Sequence, residues 1–228
     1  MRKIIPLLFF LCLQNISAFD VAITHKEIEA STKTEFNRSF YWYGDMELTG
    51  ALQLNNRYTF NSGFLIGWTK YHTNVQAFTG ALIEPWIHLP LGFSLAYMYN
   101  GLPTYEAHSH TLLPSVSYNA RYGGFSAGTS FRFTSFFREK ALFESILSLS
   151  AHVNFVNNEK LRIGITIANF SNFSAGNMGS YSLTINSAVQ IAARWRLFND
   201  LEFMQSGSVG LSSNFYGIAW RGGAKFIW

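Results

Sequence analysis

Strict alternation of apolar and polar side chains over long segments is the feature that most constrains how this chain can fold. From Phe40 to Leu54 the large apolar residues lie mostly at even positions, and the polar residues lie mostly at odd positions. A period of two separates the two faces of a β-strand, and a helix does not show it. After residues 55–57, which favour a turn, the alternation resumes from Tyr58 to Trp68. The two segments predict an antiparallel hairpin with one apolar and one polar face.

Segments of the same kind recur along the chain and predict about twelve strands, with ten or fourteen as alternatives. The weakest is Asp20 to Ala30, because His25, Lys26 and Glu27 interrupt its alternation. The other predicted strands are Val75 to Ile83, Phe93 to Tyr99, Leu112 to Tyr118, Phe125 to Phe133, Phe143 to Val156, Leu161 to Phe170, Tyr181 to Leu197, Leu201 to Val209 and Tyr216 to Trp228.

Composition decides which solvent the apolar face meets. Charged residues make up 13% of the chain and aromatic residues 17%, whereas about a quarter of the residues of a soluble domain are charged. Neither face of the predicted strands supplies enough charge for a surface in water, so the apolar face is expected to contact lipid. Strands in hydrocarbon must pair every backbone group, which requires closure of the sheet. We therefore predict an all-β, antiparallel up-and-down transmembrane barrel, with a soluble β-barrel as the alternative.

The N-terminal segment predicts export. Arg2 and Lys3 precede an apolar run from Ile4 to Leu13, and the small residue Ala18 suits a cleavage site, as in secretory signal peptides. The run of about ten residues is shorter than the ~20 that a spanning helix needs. The predicted domains are a signal peptide at 1–18 and one transmembrane barrel at 19–228. The single cysteine, Cys12, lies in the signal peptide, so neither disulfides nor thiolate-bound zinc are expected in the mature chain.

The connections between predicted strands alternate in length. In bacterial outer-membrane barrels, the short turns and both chain ends lie on the periplasmic side and the longer loops lie outside. The same arrangement is expected here, with the first strand running outward. Short connections are predicted at 55–57, 85–90, 119–124, 157–160 and 198–200, and longer ones at 31–39, 100–109, 135–142 and 171–180.

Gly222, Ala224, Phe226 and Trp228 end the chain in an alternating pattern that resembles the last strand of bacterial outer-membrane β-barrel proteins of the porin-like superfamily. The terminal residue of those proteins is usually Phe, where this chain has Trp. The resemblance implies a location in the bacterial outer membrane, contact with its lipids and insertion by the barrel-assembly machinery. It implies that the assembly signal consists of Tyr216, Ile218, Trp220, Phe226 and Trp228.

The polar face is expected to line the lumen, and its small side chains favour a narrow passive pore for small solutes. Basic residues on this face lie mainly toward the periplasmic half, where Glu202 alone opposes them, so a mild anion preference is expected. The alternative is that these charges pair across strands without any effect on selectivity. The candidate pore-lining residues are Asp45, Glu47, Arg132, His152, Arg162, Arg194, Arg196, Glu202, Arg221 and Lys225.

Two further functions are compatible with the same fold. One is a non-conducting barrel that binds molecules at its surface or strengthens the membrane. The other is a lipid hydrolase built on His108, Ser109 and His110, but these residues are expected in an outer loop, and no third group is evident that would orient a Ser–His pair. No enzyme activity, cofactor or metal is therefore expected. The net charge of +4 provides no strong basic field for nucleic acid.

Overall fold

The computed structural model describes residues 23–37, 42–69, 73–86, 88–103, 106–135, 142–168, 180–206 and 215–228. Antiparallel strands in this part of the chain close into a barrel in which each strand pairs with its neighbours in sequence and the first pairs with the last. The twelve strands are β1 (Ile23–Asn37), β2 (Trp42–Leu54), β3 (Tyr58–Thr69), β4 (Thr73–Ile83), β5 (Leu91–Leu102), β6 (Ala107–Ala120), β7 (Gly123–Ser135), β8 (Leu142–Asn157), β9 (Leu161–Ala168), β10 (Ser180–Ala192), β11 (Trp195–Ser206) and β12 (Phe215–Ile227). The predicted all-β, twelve-stranded antiparallel barrel is confirmed.

The strand pairing places the large apolar side chains on the outside of the barrel. In β3, for example, Phe64 and Ile66 are 48% and 45% exposed, and the register sets them beside the outward residues of β2 and β4. Comparable exposed apolar side chains occur on the other strands. An apolar surface of this extent is unfavourable in water and suits lipid hydrocarbon. Within the described ranges, no helix is long and apolar enough to cross a membrane.

The first strand differs from its prediction. The sequence predicted a strand from Asp20 to Ala30 and a loop at 31–39, whereas β1 runs from Ile23 to Asn37. The loop prediction is wrong for residues 31–37, because 31–36 pair with both β2 and β12 and Asn37 pairs with β12. Their inward side chains include Lys33 and Glu35, and charged residues are usually read as a sign of a loop.

The turn between β10 and β11 also lies elsewhere than predicted. The sequence predicted a strand through Leu197 and a connection at 198–200, whereas the chain turns at residues 193–194. Val189 pairs with Leu197 across this turn. Both residues have odd numbers, so the alternation of apolar residues continues through the turn without a change of parity and gives no sign of it.

The other short connections are close to their predictions. Asn55 and Asn56 adopt positive φ angles of 50° and 54°, a conformation that Asn tolerates better than most residues. The amide of Arg57 donates to the carbonyl of Leu54 at 3.0 Å and closes this turn. We call the end of the barrel with the turns 55–57, 121–122, 158–160 and 193–194 and with the connecting residues 84–86 and 88–90 the short-turn end.

At the opposite end, the predicted loop 100–109 is mostly strand, since β5 ends at Leu102 and β6 begins at Ala107. The predicted loops at 135–142 and 171–180 fall almost wholly outside the described residues. The predicted signal peptide at 1–18 lies outside them as well.

Candidate pore lumen

The inward-facing side chains give the lumen two walls of different chemistry. One wall, formed by β3 to β6, presents small and apolar side chains such as Gly63, Phe78, Leu82 and Ser94. In the described residues of these four strands, no charged side chain faces inward. The adjoining wall, formed by β11, β12, β1 and β2, carries most of the lumenal charge. We refer to them as the uncharged wall and the charged wall.

A continuous series of ion pairs runs along the charged wall. The ammonium of Lys225 lies 2.9 Å from an oxygen of Glu27 and 3.2 Å from an oxygen of Glu29. The guanidinium of Arg221 continues the series, because one of its nitrogens lies 2.9 Å from Glu29 and 2.9 Å from Glu47. We call these five residues the seam ladder, since they connect β12 to β1 and β2 across the junction that closes the barrel.

A second cluster lies on the same wall beyond the seam ladder. The ammonium of Lys33 binds carboxylate oxygens of Glu35 at 2.7 Å and of Glu202 at 3.0 Å, and so connects β1 to β11. Asp45 pairs with Lys33 in the register of β1 and β2 and is only 3% exposed. Each basic residue in these two clusters thus has at least two carboxylates close to it.

The strand pairing gives the position of each candidate pore-lining residue. The strand pairing puts Asp45, Glu47, Arg132, His152, Arg162, Arg196, Glu202, Arg221 and Lys225 on the inward face. Arg194 is the exception, because it lies in the turn at 193–194 and is not part of the strand wall.

Several charged side chains that face the lumen were not predicted from the sequence. Glu27, Glu29, Lys33 and Glu35 lie on β1, whose alternation is weak and whose second half was predicted as a loop. Asp200 lies in a segment that was predicted as a turn. The expectation that Glu202 alone opposes the basic residues is therefore wrong. Acidic side chains outnumber basic ones on the inward face of the described residues. The acidic set is Glu27, Glu29, Glu35, Asp45, Glu47, Glu144, Asp200 and Glu202, and the basic set is Lys33, Arg132, Arg162, Arg196, Arg221 and Lys225.

A polar cavity of about 320 Å³ occupies the lumen between β8 and β1, toward the short-turn end. Arg162 donates to the side chain of Asn157 at 3.3 Å, and Arg196 donates to the carbonyl of Glu159 at 3.4 Å. Neither arginine forms an ion pair within the described part of the chain, unlike Arg221 and Lys225. The cavity is lined by Glu29, His152, Asn154, Arg162, Thr166, Asn186, Ser187, Ala188, Arg196, Phe198, Asp200, Arg221 and Lys225.

Several inward-facing side chains toward the opposite end are almost completely buried. Three inward-facing side chains of β6 and β7 have almost no contact with solvent: Ser109 is 3% exposed, Thr111 5% and Thr134 1%. Several buried polar atoms at this level have no hydrogen-bond partner within the described structure: Asn74 Oδ1, Asn100 Oδ1, Thr111 Oγ1, Thr134 Oγ1 and Glu144 Oε2. We call this group of residues the polar belt.

The cluster His108, Ser109 and His110 does not lie in a loop as predicted. All three residues belong to β6, where successive side chains point to opposite faces. The two histidines face outward, whereas Ser109 faces the lumen. The serine therefore cannot form a Ser–His pair with either neighbour. Among the described residues, no group of three or more potential metal ligands is found.

An apolar exterior and a polar lumen in a closed, twelve-stranded antiparallel sheet are the features of the transmembrane β-barrel fold. No protein-family model matches the sequence, and no curated relative matches it. Solved structures do match. The KdgM porin in complex with disordered oligogalacturonate is 6% identical, with a TM-score of 0.57 over 88% of this chain and 98% of that one. The NanC porin is 8% identical, with a TM-score of 0.58 over 90% and 99%. An outer membrane channel from Pseudomonas putida F1 is 8% identical, with a TM-score of 0.57 over 92% and 97%. At such low identities the similarity establishes the fold.

Proposed function

We propose that the protein lies in the bacterial outer membrane and forms a narrow passive pore for small solutes. The observation that carries this proposal is the contrast between the two faces of the sheet. The outer face is apolar, whereas the lumen is polar and contains an accessible cavity of about 320 Å³. Structures with the same fold include two porins and an outer membrane channel.

The uncharged wall and the polar belt set the size of the proposed pore. Small side chains such as Gly63 and Ser94 leave space along the uncharged wall, and a twelve-stranded barrel is intermediate between filled and channel-forming barrels. The polar belt restricts the passage, so solutes must be small or the belt must move for conduction. The polar atoms of the belt that lack protein partners would then be hydrated by the water that accompanies the solute.

The sequence predicted a mild preference for anions, whereas the charges that line the lumen favour cations. Two of the five basic residues on which the expected anion preference rested, Arg221 and Lys225, are neutralised by Glu27, Glu29 and Glu47. The remaining acidic side chains exceed the basic ones, and fixed charge in a pore raises the local concentration of the opposite ion. We therefore replace mild anion preference with mild cation preference. Arg162 and Arg196 would favour anions only locally, at the short-turn end.

The proposed location also defines how the chain reaches the membrane. We propose export by the signal peptide at 1–18 and insertion by the barrel-assembly machinery, which would bind the last strand. Ile218, Trp220 and Trp228 lie on the outer face of the barrel, where their exposed fractions are 48%, 46% and 48%. Phe226 packs against Trp195 with ring centroids 5.0 Å apart. Tyr216 belongs to the same proposed signal, and outer-membrane lipids would contact the exposed side chains of Ile218, Trp220 and Trp228.

A non-conducting barrel is the second candidate, and the burial of Thr111 and Thr134 is the observation that favours it. Conductance of the purified, refolded chain in planar lipid bilayers distinguishes the two functions. A pore gives stepwise currents that increase in the double variant T111G/T134G, because the belt is widened. The matched variant T59G, near the short-turn end of β3, should leave the conductance close to that of the wild type. Absence of currents from both the wild type and T111G/T134G would refute the pore and support the non-conducting barrel.

A further inference from the structure

The structure brings two histidines and two tyrosines together on the outer face of the barrel, away from the lumen. His108 and His110 lie two residues apart on β6, near the end that is opposite to the short turns. The register places Tyr99 of β5 beside His110 and Gly101 beside His108. Side chains two residues apart on a strand project from the same face at a spacing of about 6.6 Å. Two imidazoles thus share one small patch of the surface.

The imidazole rings of His108 and His110 are close enough to bind the same ion. The centroids of the His108 and His110 rings are 5.6 Å apart, and their planes are nearly perpendicular, at 83°. Tyr99 packs against both, with centroids 5.5 Å from His110 and 6.5 Å from His108. Metal–imidazole bonds are about 2.0–2.1 Å long, so a small rotation of the two side chains would bring one nitrogen of each ring to a common ion.

A hydrogen bond from the neighbouring strand fixes one of these rings. The hydroxyl of Tyr97 lies 2.7 Å from Nδ1 of His110. When Nδ1 carries the proton and donates it to Tyr97, the lone pair of Nε2 is available to a metal. Protein groups that accept the second N–H of a ligating histidine in this way orient the ring and strengthen the metal bond.

We propose that His108 and His110 form a two-histidine site for a divalent transition-metal ion, with Tyr97 as a positioning residue. Imidazole nitrogens favour Cu²⁺, Ni²⁺ and Zn²⁺ over Mg²⁺ and Ca²⁺, which prefer oxygen ligands. Water completes the coordination, since no third histidine, cysteine or carboxylate joins the pair in the described residues. The site is independent of the proposed pore, because it lies on the opposite face of the sheet.

Titration of the refolded full chain with Cu²⁺, without a histidine tag and followed by electron paramagnetic resonance, tests the site. The wild type should bind one strongly held Cu²⁺ with the signal of two nitrogen ligands. H108A and H110A should each weaken binding by more than about tenfold and lose the two-nitrogen signal. Y97F should weaken binding by about tenfold but keep that signal.

The control is H88A, because His88 is an exposed histidine in the connection between β4 and β5. H88A should bind Cu²⁺ like the wild type, and heat-modifiable gel mobility should show that every variant is folded. The absence of saturable Cu²⁺ binding by the wild type would overturn the proposal. Equal affinity of folded H110A and wild type would overturn it too. Bilayer conductance should be the same in H110A and the wild type, so failure of this site is distinguishable from failure of the pore.

Discussion

Lys225 of the last strand binds Glu27 of the first strand inside the lumen, with 2.9 Å between the ammonium nitrogen and a carboxylate oxygen. Backbone pairing of β12 with β1 closes the barrel, and this ion pair adds a side-chain connection across the same junction. The two residues are 198 positions apart in the sequence.

Replacement of Lys225 by Met should destabilise the barrel. Glu27 and Glu29 would lose a cation at a site where all three side chains are mostly buried. We expect a loss of about 1 to 2 kcal/mol in the free energy of unfolding, measured by urea titration of the refolded protein. The double variant K225M/E27Q should lose less than the sum of the two single variants. K160M, in the exposed turn at 158–160, is the control and should unfold like the wild type.

Replacement of Arg221 by Gln should increase cation preference. Arg221 neutralises Glu29 and Glu47, so its removal adds net negative charge to the lumen. The reversal potential in a salt gradient should shift toward that of a more cation-selective pore, and E47Q should shift it the other way. R121Q, in the turn at 121–122, should leave the reversal potential unchanged. Identical reversal potentials in R221Q, E47Q and the wild type would show that the seam ladder has no role in selectivity.

Replacement of Gly222 by Ala should destabilise the outer face. A Cβ at this position would lie 2.8 Å from the Trp220 ring, whose indole N–H donates to the side chain of Asn199. Displacement of the ring would leave Asn199 without this donor on the lipid-facing surface. We expect a loss of about 1 to 3 kcal/mol in urea unfolding. G50A is the matched control, because the nearest atom to its Cβ is 3.8 Å away.

Replacement of Asn56 by Val should weaken the turn between β2 and β3. The backbone of Asn56 has a φ of 54°, and a β-branched residue is strained in that conformation. We expect the unfolding free energy to fall by about 1 to 2 kcal/mol in N56V. N56G should lose less, because Gly adopts positive φ angles without steric cost. An equal loss in N56G and N56V would show that the Asn side chain, which both variants lack, stabilises the turn and that backbone strain adds nothing.

The fold could be predicted from the sequence because the outward side of most strands is uniformly apolar. In β3 and β10 the apolar and polar residues alternate within the strand itself, so the sequence of each strand alone is enough to assign its two faces. The turn at 193–194 escaped this reasoning because Val189 and Leu197 have the same parity. The position of that turn depends on how two strands pair with each other, and a single alternating run carries no information about this pairing.

The charges of the lumen were only partly predictable for a related reason. Lys225 and Arg221 were recognised as inward-facing, but their partners Glu27 and Glu29 lie at the other end of the sequence. Only closure of the barrel brings them together. Likewise, the outward position of His108 and His110 depended on whether β6 begins before or after them. The structure begins β6 at Ala107, and this places both rings on one face.

The long sequence separation of the seam ladder has a consequence for the order of events during biogenesis. Arg221 reaches Ser31 across 190 positions, and the partners of Glu27 and Glu29 lie just as far along the chain. Glu35 has a partner within the first strand, Lys33, but both cations that pair with Glu29 lie on the last strand. Entry of that strand edge into hydrocarbon is costly before Arg221 and Lys225 arrive. A chain that ended before Arg221 would leave Glu29 without either cation, so the last strand completes the charge balance of the first as well as its backbone pairing.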